Sequence, residues 1–281
     1  MHDLENAVAL RKCSDAGMAR LAKYNVQVAD VAGIQPRTTF TSFRSARADE
    51  APNPTKELDA LVLGNTLIGY ADNISLTNMT IIENIIKFSK MEADRESKDQ
   101  ANPAAWHRAF LQCMEDMGCY IPISASVEYR KRSATGTMKN VATAIVKAGV
   151  EAAKAAIPGA TVLSAVADST LSALEKETAA IQVFNYEATK AKGVKLAILP
   201  CAQAQNGLII VSCSSVDHVS GKVGGGVLFL DLLVSNVDIY QGSNFLTFNP
   251  AAYDEIKDEV EAVLTKHRRE VLAKRFSKRG R

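Results

Sequence analysis

The sequence predicts an α+β fold: N-terminal helices and a central alanine-rich helical hairpin packed on a C-terminal antiparallel sheet, closed by a terminal helix. Three observations predict it. Residues 141–176, "VATAIVKAGVEAAKAAIPGATVLSAVADSTLSALEK", hold two helix-forming halves divided by Pro158 and Gly159. From about residue 181 the pattern changes to short apolar runs separated by turn material. At Asn249 and Pro250 a helix-start signal precedes a last periodic segment.

The chain has 281 residues, 47% hydrophobic and 23% charged, with a formal net charge of +2. That composition suits a globular protein able to bury a core. We expect one α+β domain over 1–281: a helical part to about 180, a sheet over about 181–249 and a helix over about 251–276. The near-neutral total argues against strong attraction to nucleic acid or acidic membranes. The N-terminal segment lacks the apolar stretch of a secretion signal, and no run of 18 apolar residues is free of charge. The cysteines, Cys13, Cys113, Cys119, Cys201 and Cys213, are odd in number and scattered. They read as reduced thiols of a cytoplasmic protein, with release by a non-classical route left open. Without a secretion signal, the glycosylation tripeptides at Asn73 and Asn78 read as chance.

Residues 4–24 predict a first helix with Leu4, Val8, Met18 and Leu21 on its apolar side. Residues 36–57, with three prolines and many small polar residues, read as a long loop: a plain connector or an arm laid on a partner. Residues 57–70 and 76–95 are the next helix candidates. The second carries Met79, Ile82, Ile85, Ile86 and Phe88 on an arc wide enough for burial on more than one side. "NPAAWHRAFLQCMEDMG" combines an Asn102 cap, Pro103 in the first turn and Gly118 past the end. Its stripe of Trp106, Phe110, Cys113 and Met117 is core material. "YIPISASVEYRK" reads as a strand or an extended link.

The halves of 141–176 are each about 25 Å long as helices, short of a bilayer core of about 30 Å. Lys147, Glu151 and Lys154 share one face of the first. Thr161, Ser164, Asp168, Ser172 and Glu175 share one face of the second, opposite Leu163, Val166, Leu171 and Leu174. Each half is therefore amphipathic and suits a scaffold with one wet side. Small side chains also permit close helix packing in lipid. A second reading is thus conditional membrane insertion, as in helical-hairpin pore-forming toxins, with Glu151, Pro158, Asp168 and Glu175 as the sensitive positions.

"IQVFNYEA", "VKLAILP", "GLIIVSC", "GVLFLDLLV", "VDIYQ" and "NFLTF" predict a meander of four or five antiparallel strands, with "AQAQNG", "HVSGKVGGG" and "GSN" as turns. "LIIV" and "VLFL" do not alternate, as expected of inner strands covered on both faces, and the hairpin is a natural cover. The last helix places Ile256, Val260, Val263, Leu264, Val271 and Phe276 at helical intervals. Residues 266–281 hold eight Lys or Arg against one acid; the rest of the chain has 25 basic and 30 acidic residues. Lys266, Arg268, Arg269, Lys274, Arg275, Lys278 and Arg279 either complement the helix dipole or meet an acidic surface on a neighbouring copy. With Phe276 the only aromatic in the run, nucleic acid is a poor match.

Catalytic signals are weak. "GKVGGG" lacks the spacing of a phosphate loop, and there is no G-x-S-x-G, H-E-x-x-H or paired C-x-x-C. Cys113 and Cys119 are six apart across a helix end, a poor zinc clamp. His107 and Cys113 lie about 240° apart on one helix. Cys213, Asp217 and His218 are close in sequence, and on one strand Cys213 and Asp217 would share a face that excludes His218. We therefore expect a non-enzymatic protein that self-associates or binds another protein, without cofactor or metal. Conditional membrane insertion is the alternative, and an enzyme built on Cys213 and His218 the third reading.

Overall fold

A computed structural model describes residues 15–24, 60–63, 66–97, 103–122, 127–157, 160–176, 196–218 and 233–277. In order, these form α1 (Asp15–Ala22), β1 (Ala60–Leu63), β2 (Thr66–Tyr70), α2 (Leu76–Glu96), α3 (Pro103–Asp116), β3 (Val127–Thr137), α4 (Met138–Ala156), α5 (Val162–Lys176), β4 (Leu196–Gln203), β5 (Ile209–His218), β6 (Leu233–Phe248), α6 (Pro250–Tyr253) and α7 (Lys257–Ser277). Outside the described residues lie the first turns expected from residue 4, the proline-containing loop 36–57, the "IQVFNYEA" strand, most of "GVLFLDLLV", the "HVSGKVGGG" turn beyond His218, and Pro158 with Gly159.

The fold is α+β. One sheet has the strand order β1-β2-β4-β5-β6-β3. β4, β5 and β6 are consecutive antiparallel neighbours, as the meander predicts. Three earlier strands extend them. β1 and β2 form an antiparallel pair, β2 runs parallel to β4, and β3 joins β6 antiparallel. The sheet is thus mixed, and the expected helix over 57–70 is instead β1 and β2. Leu63 pairs with Thr66, so Gly64 and Asn65 alone join the two strands. A two-residue Gly-Asn link is hairpin chemistry, and it interrupts the helical period. "YIPISASVEYRK" resolves into β3 from Val127 onward. "GSN" is no turn: Gly242, Ser243 and Asn244 pair with Ser215, Ser214 and Cys213 in mid-ladder, so "VDIYQ" and "NFLTF" belong to one strand.

Alternation along the strands divides the core in two. Ile68, Tyr70, Leu199, Cys201, Ile209, Val211, Cys213, Leu246 and Phe248 face α2, α3 and α7. Leu67, Ala71, Ile198, Ala202, Ile210 and Phe245 face α4 and α5. Strands covered on both faces lose the polar–apolar alternation, which accounts for "LIIV". β4 and β5 pair at Ile198–Ser214 and again at Cys201–Val211, but not between. Pro200 in that gap has no N–H to give the ladder.

The helix signals hold where they can be seen. Gly118 follows α3 with φ 93°, and Cys119 N donates to Met114 O at 3.0 Å, closing the helix through a left-handed glycine. Ser75 and Thr137 cap α2 and α4 through their side chains, and Asn249 caps α6. The last helix is broken by a turn, so α6 is a single turn and α7 begins at Lys257. α5 crosses β2 where the strand has Gly69. A Cβ there would sit 1.7 Å from Thr170 Oγ1, so the buried Thr170 needs that glycine beneath it.

Candidate interaction surface

The chemistry-bearing groups sort into those locked inside the fold and those the fold leaves outside. The inner set begins with α1. The sequence assigns Met18 to the apolar side, but Met18 is 43% exposed while Gly17, Arg20 and Leu21 are buried. Gly17 lets α1 approach the end of α3 closely, since a Cβ would stand 2.3 Å from Asp116 O. The Arg20 guanidinium then donates to Asp116 Oδ2 at 2.6 Å, to Glu92 Oε2 at 3.2 Å and to Glu96. Arg95 donates to both oxygens of Glu92 at 2.8 Å, and the Tyr24 hydroxyl donates to the same carboxylate.

Burial works against the Arg20 charge, but the bonds to Asp116 and Glu96 outweigh it and hold its pKa above the ordinary value. Burial likewise favours a neutral Glu92, and the donors Arg95, Tyr24 and Arg20 together pull it below the usual carboxylate range. Burial and the Glu92 charge push the Tyr24 phenol upward. Every member is bonded to another member, so the cluster has the form of a helix clamp. Trp106 serves packing too: it stacks on Phe110 at 5.4 Å and donates to Asp94 at 2.7 Å.

The cysteine readings can be weighed directly. Cys113, Cys119, Cys201 and Cys213 are buried and form no disulfide. Burial pushes the Cys213 thiol up to about 12, so it is not a ready thiolate nucleophile. β5 is one strand through His218, as the face argument requires, while the side chains of Asp217 and His218 lie outside the described set. His107 is fully buried beside Asn244, 3.3 Å away, and burial drives its pKa down to about 3. Among the described residues no three His, Cys, Asp or Glu side chains form a group that could hold a metal ion. A shallow, mainly apolar hollow of about 20 Å³ lies between Ile157, Leu208 and Phe245; its polar lining is Tyr120, Asn206 and Thr247.

The alanine-rich helices have the predicted sidedness. Lys147 and Glu151 are exposed, Lys154 is half-buried, and Lys154 Nζ meets Glu151 Oε1 at 2.7 Å. Val146, Val150 and Ala153 are buried on the other side. On α5, Asp168 and Thr161 are exposed while Leu163, Val166 and Ala167 are buried. Glu175 lies in the last turn of α5, and Pro158 is outside the described residues. Among the described residues no helix is long and apolar enough to cross a membrane.

The outer set lies on α7. Ile256, Val260, Ala262 and Val263 are buried, so the first turns of the helix belong to the core. From Lys266 to Glu270 every residue is exposed, right round the helix, and Ala273 is exposed too. Lys266 Nζ donates to Tyr24 O at 3.0 Å, and Val271 in the next turn is half-buried. Arg268 and Arg269 are therefore presented to solvent; Lys274 and Arg275 continue the same helix, and Lys278 and Arg279 lie outside the described residues. The first half of α7 and the turn before it are acidic. Asp254, Glu255 and Asp258 are exposed, Glu259 and Glu261 half-buried, and Lys257 is the one base among them. Burial raises Glu261, the Asp258 charge raises it further, and Lys257 opposes both. The sequence signalled the basic half through its charge run; the acidic half has the same kind of signal and gains meaning only beside the exposure pattern. Compared with protein-family models and with curated proteins, the sequence matches none.

Proposed function

We propose that this protein acts by contact, self-associating or binding another protein, and that the uncovered basic half of α7 is the contact surface. One observation carries this reading: residues 266–270 of α7 are exposed on every side of the helix, before the half-buried Val271. Helical segments of fewer than about 12 residues gain little stability in water without packing, so a helix that extends past its own core suits a partner that completes its burial. The charged groups locked inside the fold are bonded to one another and serve its cohesion.

Size-exclusion chromatography with light scattering, at low and high salt, tests the reading on the full chain and on a chain lacking residues 266–281. The expected result is a larger species at low salt that the truncation abolishes. A monomer indifferent to salt and to truncation, with no protein captured through the tail, would defeat it.

A further inference from the structure

Resting on that reading, we infer that the partner is a second copy of this chain, its α7 laid antiparallel on the first across a two-fold axis near Thr265. The helix and the turn before it are charged in two blocks. Asp254, Glu255, Asp258, Glu259 and Glu261 precede the midpoint against Lys257; Lys266, Arg268, Arg269, Lys274 and Arg275 follow it against Glu270. A two-fold axis across the helix brings the acidic block of each copy to the basic block of the other, whereas a parallel pair sets like beside like.

Asp258, Glu261, Thr265 and Arg268 recur at helical spacing on the side away from Val260 and Val263; Asp258 and Arg268 are exposed, and Glu261 and Thr265 between them are half-buried. From Asp258 to Leu272 the stripe is about 21 Å long. Leu272 falls on it by helical spacing. The helix dipole explains acids in a first turn and bases in a last turn, and its effect fades beyond them. Glu261, Lys266 and Arg268 stand well inside the helix ends, so the dipole does not account for the two-block layout. One helix face per copy is less than the roughly 800 Å² per partner of a stable interface. The pair is accordingly weak, micromolar in order of magnitude, and strongly salt-dependent.

The test uses two full-length variants confined to exposed positions: D254K/D258K, and R268E/R269E. Circular dichroism checks that both fold. Light scattering at low salt should show dimers for the unsubstituted chain and at least about tenfold weaker self-association for each variant. An equimolar mixture of the two should dimerise again, because the reversed positions 254 and 258 of one chain then meet the reversed positions 268 and 269 of the other with opposite sign. A chain carrying all four substitutions should also dimerise. If the unsubstituted chain dimerises but mixing restores nothing, the antiparallel pairing is wrong while self-association stands. If the chain is monomeric and its tail instead binds an acidic protein or phosphatidylserine vesicles, the second copy is excluded as partner.

Discussion

The two faces of the sheet are covered in opposite ways. On one, α1, α2, α3 and α7 bring large side chains, such as Phe88, Trp106, Phe110 and Met114, together with the Arg20–Glu92–Asp116 cluster. On the other, α4 and α5 cover the sheet with Ala142, Val146, Val150, Ala153, Ala160 and Leu163, and among the described residues this layer buries no charged side chain. The first layer is specified by directional bonds among groups that are costly to leave alone. The second is specified by closeness, through small residues and the glycine under Thr170. Their sensitivities should differ accordingly: removal should hurt the first layer, and addition the second.

The largest effect should follow Arg20→Ala. It takes the guanidinium from between Glu92, which keeps Arg95 and Tyr24, and Asp116, which keeps Gln112, and urea unfolding should show a loss of about 3 kcal/mol. A loss below about 1 kcal/mol would mean that water already reaches the cluster and that the contrast between the faces is false. Next comes acid. His107 keeps a folded pKa of about 3 against an ordinary 6.5. The unfolded chain therefore takes up a proton that the folded chain refuses. Stability from this group is complete above pH 6.5 and falls as pH drops toward 3, by about 1.4 kcal/mol per unit. Between about pH 6.5 and 4.5 His107 thus accounts for roughly 2 kcal/mol, which the variant His107→Gln should not lose. Glu92, whose pKa is lowered, adds acid sensitivity only below its ordinary 4.5.

On the opposite face, Ala153→Leu should cost about 1–3 kcal/mol by overpacking, although it adds apolar surface. An unchanged or raised stability would show slack between α4 and the sheet. The smallest effect should be Glu151→Ala. It breaks an exposed pair with Lys154, and thermal melts should register no more than about 0.5 kcal/mol.

This contrast also explains what the sequence could show. The alanine-rich layer was legible because periodicity and small side chains are local properties, and α3 because its Pro103 start, Gly118 end and apolar stripe are local too. β1 and β2 were misread as helix although Gly64 and Asn65 stood between two short apolar runs, because their pairing with β4 is remote. Gly242 in β6 looked like a turn because a strand flanked by β5 and β3 overrides the weak preference of a Gly-Ser-Asn triplet. Arg20 was invisible as a core residue, since its burial depends on three carboxylates from two other helices. For α7 the charge run was plain, but which side the body leaves uncovered is a tertiary fact.

The parallel pairing of β2 with β4 has a consequence for how the molecule is made. Thr66 lies beside Ala197, about 130 residues later in the chain. During synthesis β2 must wait for more than two-thirds of the polypeptide before its permanent neighbour exists, with β1 as its only early company. Such distant closure slows folding and leaves a greasy edge unguarded on the nascent chain. Newly made copies should therefore be most prone to clump before β4 has left the ribosome, when only the first hairpin and the helices after it can settle.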